Sequence, residues 1–267
     1  MFGSIKSAAK MLALDMDGTI LLPDGTISAY TLDVLAKCRA KGLHIAPATG
    51  RAYKNCLYRG YLRDLGAYGG VYSDGAHVVA GDEDVFVKHI PFDTAKGVLA
   101  ALAASPFCSN AVADSPDGYY VQNREAAGSF AYPPTFSLRA FGASPRDAYA
   151  IAAVLDTDEH SAAALAADIQ AAFPDVCMSY IGGDLLLIPP AGVTKMTGLA
   201  HLAKHAGIKP KNIIAFGDSL NDLAMLAGVP NSVAPANARQ EVKVAAKHIC
   251  GPAEEDGVAK WIEQNLL

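Results

Sequence analysis

The chain has 267 residues, 51% of them hydrophobic and 18% charged, with a net charge of -5. That length allows one large domain or two smaller ones with real cores, and the acidic balance leaves no basic footprint for nucleic acid. No apolar run approaches a membrane span, residues Met1 to Lys10 lack the apolar centre of a signal peptide, and Cys38, Cys56, Cys108, Cys177 and Cys250 are scattered without a CxxC pair, so reduced thiols and a cytoplasmic location are expected.

In chain order, Met11 to Leu14 is a short apolar run that reads as a buried strand. It stops at two carboxylates, Asp15 and Asp17, and Gly18 then lets the backbone turn tightly. Two acids so close repel each other unless a cation sits between them, and a hard divalent ion such as Mg²⁺ is the economical one. Asp24-Gly25 between apolar residues predicts a tight hairpin projecting as a flap over the acidic loop. Ser28 offers an N-cap to a helix over Ala29 to Lys41, with Leu32, Leu35 and Ala36 inward and Gly42 as its stop.

A second strand, Leu43 to Pro47, runs into Thr49-Gly50-Arg51 ahead of a helix over Tyr53 to Leu65. A Thr hydroxyl and free amides at a helix start can donate to an anion; Arg51 reads as a solvated or ion-paired side chain. A third strand, Gly70 to Ser73, ends in Asp74-Gly75-Ala76, and the acidic stretch 81–84 reads as a linker. From there to about 186 the texture changes. Strand-like pieces (85–90, 111–113, 119–122, 148–155, 177–180, 184–188) alternate with helices at 94–104 and 159–173, and Pro133-Pro134 and 142–145 read as loops. This predicts an inserted α+β module. His77, His89 and His160 are isolated and read as structural or surface groups.

The first texture returns at Pro189. A helix over Thr194 to Ala206 carries Lys195 in its first turn, where a cation is disfavoured by the helix dipole and an anion nearby would explain it. The apolar strand before Gly217 ends at Asp218, and Asn221 and Asp222 stand at the next helix start. A strand at 231–234, a helix at 238–246, a strand at 248–250 and a last helix at 258–265 with Trp261 complete the chain. Four loops (15–19, 49–51, 192–195 and 217–222) thus hold carboxylates, a hydroxyl and a lysine, the set that phosphoryl transfer needs.

Asp15-Met-Asp17-Gly18-Thr19 after its strand, Thr49-Gly50, Lys195 and Gly217-Asp218 through Asn221-Asp222 together resemble the four motifs of the haloacid dehalogenase-like phosphatase superfamily. The insertion between the second and third motifs resembles the class IIB, Cof-like branch, which includes many phosphatases of sugar phosphates and other small metabolites. The resemblance implies a Rossmann-like, doubly wound, mainly parallel sheet core over 1–81 and 187–267, with an inserted α+β cap over 82–186. It implies Asp15 as the nucleophile that becomes an aspartyl phosphate, and Asp17 as general acid and then base. Thr49 and Gly50 would bind the substrate phosphate, with Lys195 and Asn221. Mg²⁺ would be held by Asp15, the Asp17 carbonyl and Asp218, with Asp222 supporting that shell.

Three departures stand out. Lys195 is followed by Met196 rather than Gly, Asp74-Gly75-Ala76 replaces Asn-Gly-Ala, and Val233 to Ala238 replaces Met-Gly-Asn-Ala, which leaves the reach of Asn237 open. The expected partner is a small phosphorylated metabolite, without nucleic acid or membrane, acted on by a monomer or small homo-oligomer, with selectivity in the cap. A phosphomutase of the same superfamily and a phospho-accepting receiver module are the alternatives.

Overall fold

The computed structural model describes residues 8–121, 138–140, 146–182 and 184–267. The predicted loops at 133–134 and 142–145, and Gln122, lie outside them. In chain order the first elements are β1 (Met11–Leu14), α1 (Ala29–Ala40), β2 (His44–Pro47), α2 (Tyr53–Tyr58), α3 (Tyr61–Leu65), β3 (Gly69–Tyr72), β4 (His77–Ala80) and β5 (Glu83–Val87). Then come α4 (Phe92–Ala104), β6 (Cys108–Ser115), β7 (Gly118–Val121), β8 (Leu138–Ala140), β9 (Ala150–Leu155), α5 (Glu159–Ala172), β10 (Ser179–Gly182) and β11 (Leu185–Ile188). The chain ends with α6 (Lys195–His205), β12 (Ile213–Phe216), α7 (Leu223–Gly228), β13 (Asn231–Pro235), α8 (Gln240–Ala245), β14 (His248–Cys250) and α9 (Gly257–Leu266).

Two compact units result: residues 1–86 with 194–267, and residues 87–193. The first holds a five-stranded sheet in the order β14-β13-β12-β1-β2, parallel throughout. Counted along the core alone this is the 2-1-3-4-5 order of doubly wound sheets, which reverses between β1 and β12 and opens a crevice there at the carboxyl ends of the strands. All four residues of β1 are fully buried because both faces are covered. Leu12 and Leu14 pack with Ile45, Phe216, Leu35, Cys38 and Trp261. Met11 and Ala13 pack on the other side with Ala46, Ala215, Leu199, Leu202 and Met225. Each large apolar side chain buried this way contributes about 1.5–3 kcal/mol.

Several local expectations shift. The buried face of α1 is Thr31, Val34, Leu35 and Cys38, while Leu32 and Ala36 are half-buried. The helix expected over 53–65 is broken at Gly60, whose φ of +77° ends α2. The flap expected at 20–27 is a closed turn without strands, in which the Leu22 amide donates to the Thr26 carbonyl. It is tied to α3 by the Tyr61 hydroxyl, 2.7 Å from the Gly25 carbonyl. β3 lies outside the five-stranded sheet, in a three-stranded sheet with β4 and β5, although the Thr49 amide still donates to the Val71 carbonyl. The stretch read as a linker at 81–84 is the turn and start of the β4–β5 hairpin; its acidic side chains are exposed, which is why the alternation was hidden.

The second unit holds a six-stranded sheet in the order β10-β11-β9-β6-β7-β8, antiparallel except between β7 and β8. Val98, Leu99 and Leu102 of α4 and Ala162 and Ile169 of α5 pack with Ala111, Ile151, Leu155 and Leu186 of the sheet. α/β chain with a parallel core sheet and a separate antiparallel α+β unit is therefore the fold class. Among the described residues no helix is long and apolar enough to cross a membrane.

All five cysteines are free thiols. Burial pushes the Cys38 thiol up to about 11 and the Cys250 thiol up to about 12, so at neutral pH neither carries reactive thiolate. Iodoacetamide at neutral pH is expected to leave both unlabelled in the native protein and to label both in denaturant, read by peptide mass spectrometry; native-state labelling at the denatured rate would contradict the packing around α1 and β14.

Candidate active site

The parallel ladder between β1 and β12 continues one step past β1, with the Asp15 amide donating to the Phe216 carbonyl at 2.9 Å. This delivers Asp15 and the 217–222 loop to the same end of the sheet. Gly18 turns the chain back with φ +74°, and a Cβ there would lie 2.5 Å from Asp218 Oδ2. The absence of a side chain is what lets the two loops approach. Asn237 clamps the turn: its Nδ2 donates to the Gly18 carbonyl at 2.7 Å and its Oδ1 accepts from the Ala253 amide at 2.8 Å. That settles the reach of Asn237.

Lys195 enters from α6, whose N-terminus is closed by a reciprocal Thr194–Thr197 capping box. One turn on, Gly198 lets the helix sit against β3 and the following turn, since a Cβ there would be 2.6 Å from Val71 and 2.9 Å from Gly75. The Lys195 side chain is consequently buried, and its Nζ donates to Asp15 Oδ1 at 2.6 Å and to Asp222 Oδ1 at 2.7 Å. Met196, the departure beside it, lays its thioether against Gly228.

Asp222 does more than cap a helix. Its Oδ2 accepts from the Asp218 and Ser219 amides, each at 3.0 Å, while Oδ1 takes Lys195. Gly217 makes room, because a Cβ there would be 2.4 Å from the Asp222 carboxyl carbon. Asp218 is held in turn by the Thr19 hydroxyl at 2.9 Å and the Ser219 hydroxyl at 3.2 Å. One ligand atom from each of Asp15, Asp218 and Asp222 lies within 4.8 Å of the others. Three carboxylates then face one ammonium. Burial and the Asp222 charge raise the Asp15 carboxyl well above the ordinary carboxylate range, against the pull of Lys195, and the same two causes raise Asp218. Burial works against the Lys195 charge, but Asp15 and Asp222 outweigh it and hold its pKa above the usual lysine value.

This donor set suits a hard divalent cation. It is all oxygen, it carries surplus negative charge, and a cation of the Mg²⁺ type takes one or two carboxylates and keeps waters. Asp222 is the most heavily engaged of the three, taking Lys195 on one oxygen and two amides on the other, whereas Asp15 takes Lys195 and Asp218 takes two hydroxyls.

Thr49 is buried beside the end of β1, where the Ala48 amide donates to the Leu14 carbonyl. Its hydroxyl accepts from the Arg51 amide at 3.1 Å, so of the local amides at least that one is not left for an anion. Asn221, read as a phosphate donor, turns its Nδ2 to Asp74 Oδ1 at 2.9 Å. Asp74 is itself buried, in the left-handed region with φ +58°, and its charge also bears on Lys195. It is thus a third buried carboxylate beside Asp15 and Asp222, visible in the sequence only as a departure from Asn. Asp17 is half-exposed and is gripped by Arg51, with Nε 2.7 Å from Oδ2 and Nη2 2.6 Å from Oδ1. Nothing in the spacing of the two residues announces that pair. The three isolated histidines take no part in the cluster of Asp15, Asp218 and Asp222: His77 pairs with Asp84 at 2.7 Å, His89 lies on Tyr149 and His160 is exposed at the start of α5.

Residues 12–262 match the family model of haloacid dehalogenase-like hydrolases. The chain is 26% identical to a 5-amino-6-(5-phospho-D-ribitylamino)uracil phosphatase of Bacillus subtilis, over 95% of this chain and 96% of that one. It is 26% identical to an HMP-PP phosphatase of Yersinia enterocolitica, over 96% and 95%. A solved subclass IIB sugar phosphatase superposes with a TM-score of 0.81 at 24% identity, over 96% and 98%; that likeness shows the fold.

The carboxylate surplus makes a stability prediction. A carboxyl whose folded pKa is raised loses its proton first in the unfolded chain, so stability falls as pH rises from the unfolded value, about 4, through the raised folded one. Asp218→Asn removes one such group. Without divalent metal it is expected to unfold at a higher temperature than the wild type at neutral pH, with the difference closing towards pH ~4. Mg²⁺ is expected to raise the wild-type midpoint and leave the variant unmoved. Calorimetry with chelator and with Mg²⁺ checks both; a less stable metal-free variant at neutral pH would refute the surplus.

Proposed function

The chain belongs to the haloacid dehalogenase-like hydrolase family and is a phosphatase of that family; from this we propose that it is a Mg²⁺-dependent enzyme that hydrolyses a small phosphorylated metabolite, a sugar phosphate or similar monoester, through an aspartyl phosphate. The observation that supports this most directly is the buried ammonium of Lys195 against Asp15, with Asp218 beside them. A carboxylate can attack a phosphate dianion only if the charges of both are offset, and preorganised cations do this best in a buried site.

In this reading an Asp15 oxygen bonds to phosphorus as the ester oxygen departs with a proton from Asp17. Asp17, then ionised, takes a proton from water; the water oxygen bonds to phosphorus, the bond to Asp15 breaks and inorganic phosphate leaves. Splitting one displacement into two is the gain of a covalent intermediate, and acid–base help from Asp17 is worth on the order of 10²–10⁴-fold. Lys195 holds Asp15 in line and neutralises the incoming phosphate, Thr49 and Gly50 donate to its oxygens, and Asn221 steadies the rim through Asp74. Asp15, Asp218 and the Asp17 carbonyl would hold Mg²⁺, which would supply charge neutralisation at the phosphoryl oxygens. Asp222 acts through Lys195 and the loop amides. The expected compartment is the cytoplasm, where five scattered cysteines stay reduced.

The test is phosphate release from a panel of phosphorylated metabolites, with Mg²⁺ or chelator. Release by the wild type with Mg²⁺, lost in chelator and in Asp15→Asn, is the expected result. Release that persists in Asp15→Asn, or at full rate in Asp17→Ala, would sink the mechanism.

A further inference from the structure

We propose that Arg51 is the positioning residue that holds Asp17 as the base of the second half-reaction, the hydrolysis of the phosphorylated Asp15; this rests on the function proposed above. Both hydrogen bonds that the Asp17 carboxylate accepts come from Arg51, at 2.7 and 2.6 Å, one to each oxygen. The Asp17 side chain is otherwise 55% exposed, so without the fork it would rotate freely into solvent. The fork is itself fixed. Arg51 lies over the Tyr61 ring, 5.8 Å from its centre, and its Nη1 reaches Asn55 Oδ1 at 3.4 Å. Tyr61 is pinned in turn by its hydroxyl bond to the Gly25 carbonyl. The guanidinium side chain is only 24% exposed, and a rigid, half-buried fork matches a carboxylate in a way that a single ammonium does not.

A fork that donates one N–H to each oxygen fixes the plane and direction of the carboxyl group, which a proton transfer with a nearby water requires. The geometry therefore fits the step in which Asp17 accepts. Water loses a proton to Asp17, its oxygen bonds to phosphorus, and the electron pair of the broken bond returns to Asp15. The turn that carries Asp17 does not depend on Arg51, because Asn237 holds the Gly18 carbonyl independently.

The test uses p-nitrophenyl phosphate with Mg²⁺, whose phenolate leaves without a proton. In Arg51→Ala, kcat and KM are expected to fall together, on the order of 10²-fold for a misplaced base, with kcat/KM preserved. A burst of nitrophenolate close to the enzyme concentration should precede the slow phase, and added guanidinium should restore turnover. Arg51→Lys keeps the charge without the fork and should show the same pattern at smaller size; it serves in place of Arg51→Ala if that variant fails to fold. A fall in kcat/KM equal to that in kcat would place Arg51 before the phosphoenzyme, a rise in KM alone would make it a substrate-binding group, and unchanged kinetics would give it no part. Each overturns the proposal. A wild type that releases no phosphate from any ester, or release unaffected by Asp15→Asn, would instead overturn the phosphatase reading, so the two failures are distinguishable.

Discussion

The site is organised by one buried ammonium. Lys195 Nζ touches Asp15 and Asp222 at once, and those residues belong to three stretches far apart in the sequence: the end of β1, the loop after β12 and the first turn of α6. A buried lysine left without partners is strongly unfavourable, and so is a buried carboxylate. Each of the three is therefore tolerated only where the other two are, and the requirement fixes the register of the loops as firmly as the apolar core fixes that of the strands. Asp222 extends the constraint to the backbone, because the carboxylate that receives Lys195 also receives two amides of its own loop.

The sheet explains why these stretches meet. With the order β14-β13-β12-β1-β2, β1 and β12 are neighbours although nearly two hundred residues separate them, and the reversal of order between them leaves their carboxyl ends open to a ligand. The six-stranded unit is inserted between the halves of the core without interrupting this pairing. Three short, largely apolar runs (11–14, 43–47 and 213–216), with the small-residue stretch at 231–234, were enough to mark the strands in the sequence, because strands buried on both faces are mostly apolar and end abruptly. Lys195 was legible for a complementary reason: a cation in the first turn of a helix is out of place unless anions surround it.

What stayed illegible depended on approach between elements rather than on pattern within them. Gly198 is unremarkable in the sequence, yet a Cβ there would collide with β3, and the turn at Gly18 was legible while its close approach to Asp218 was not. Arg51 looks like ordinary surface charge until β1 and β2 are placed side by side and its partner proves to be Asp17. The 81–84 stretch misled because its exposed acids and glycine signal a linker, while the same features also suit a solvent-facing hairpin turn. Asp74 was hidden by its setting, a left-handed turn residue that Asn and Asp both tolerate.

The site also carries more negative charge than its own residues neutralise. Asp15, Asp218, Asp222 and Asp74 crowd around one lysine, with Asp74 tied to Asn221. Such a group opposes folding, and it persists because the surrounding structure over-determines it: β1 is fully buried on both faces, and each carboxylate is held by donors from another element. The same surplus is what a divalent cation and a phosphate ester together would complete, one supplying positive charge and the other occupying the donors left by Thr49 and Lys195. Stability and reactivity thus draw on one feature in opposite directions. A site relaxed by removing a carboxylate would fold more easily and would lose the electrostatic demand that brings metal and substrate to it.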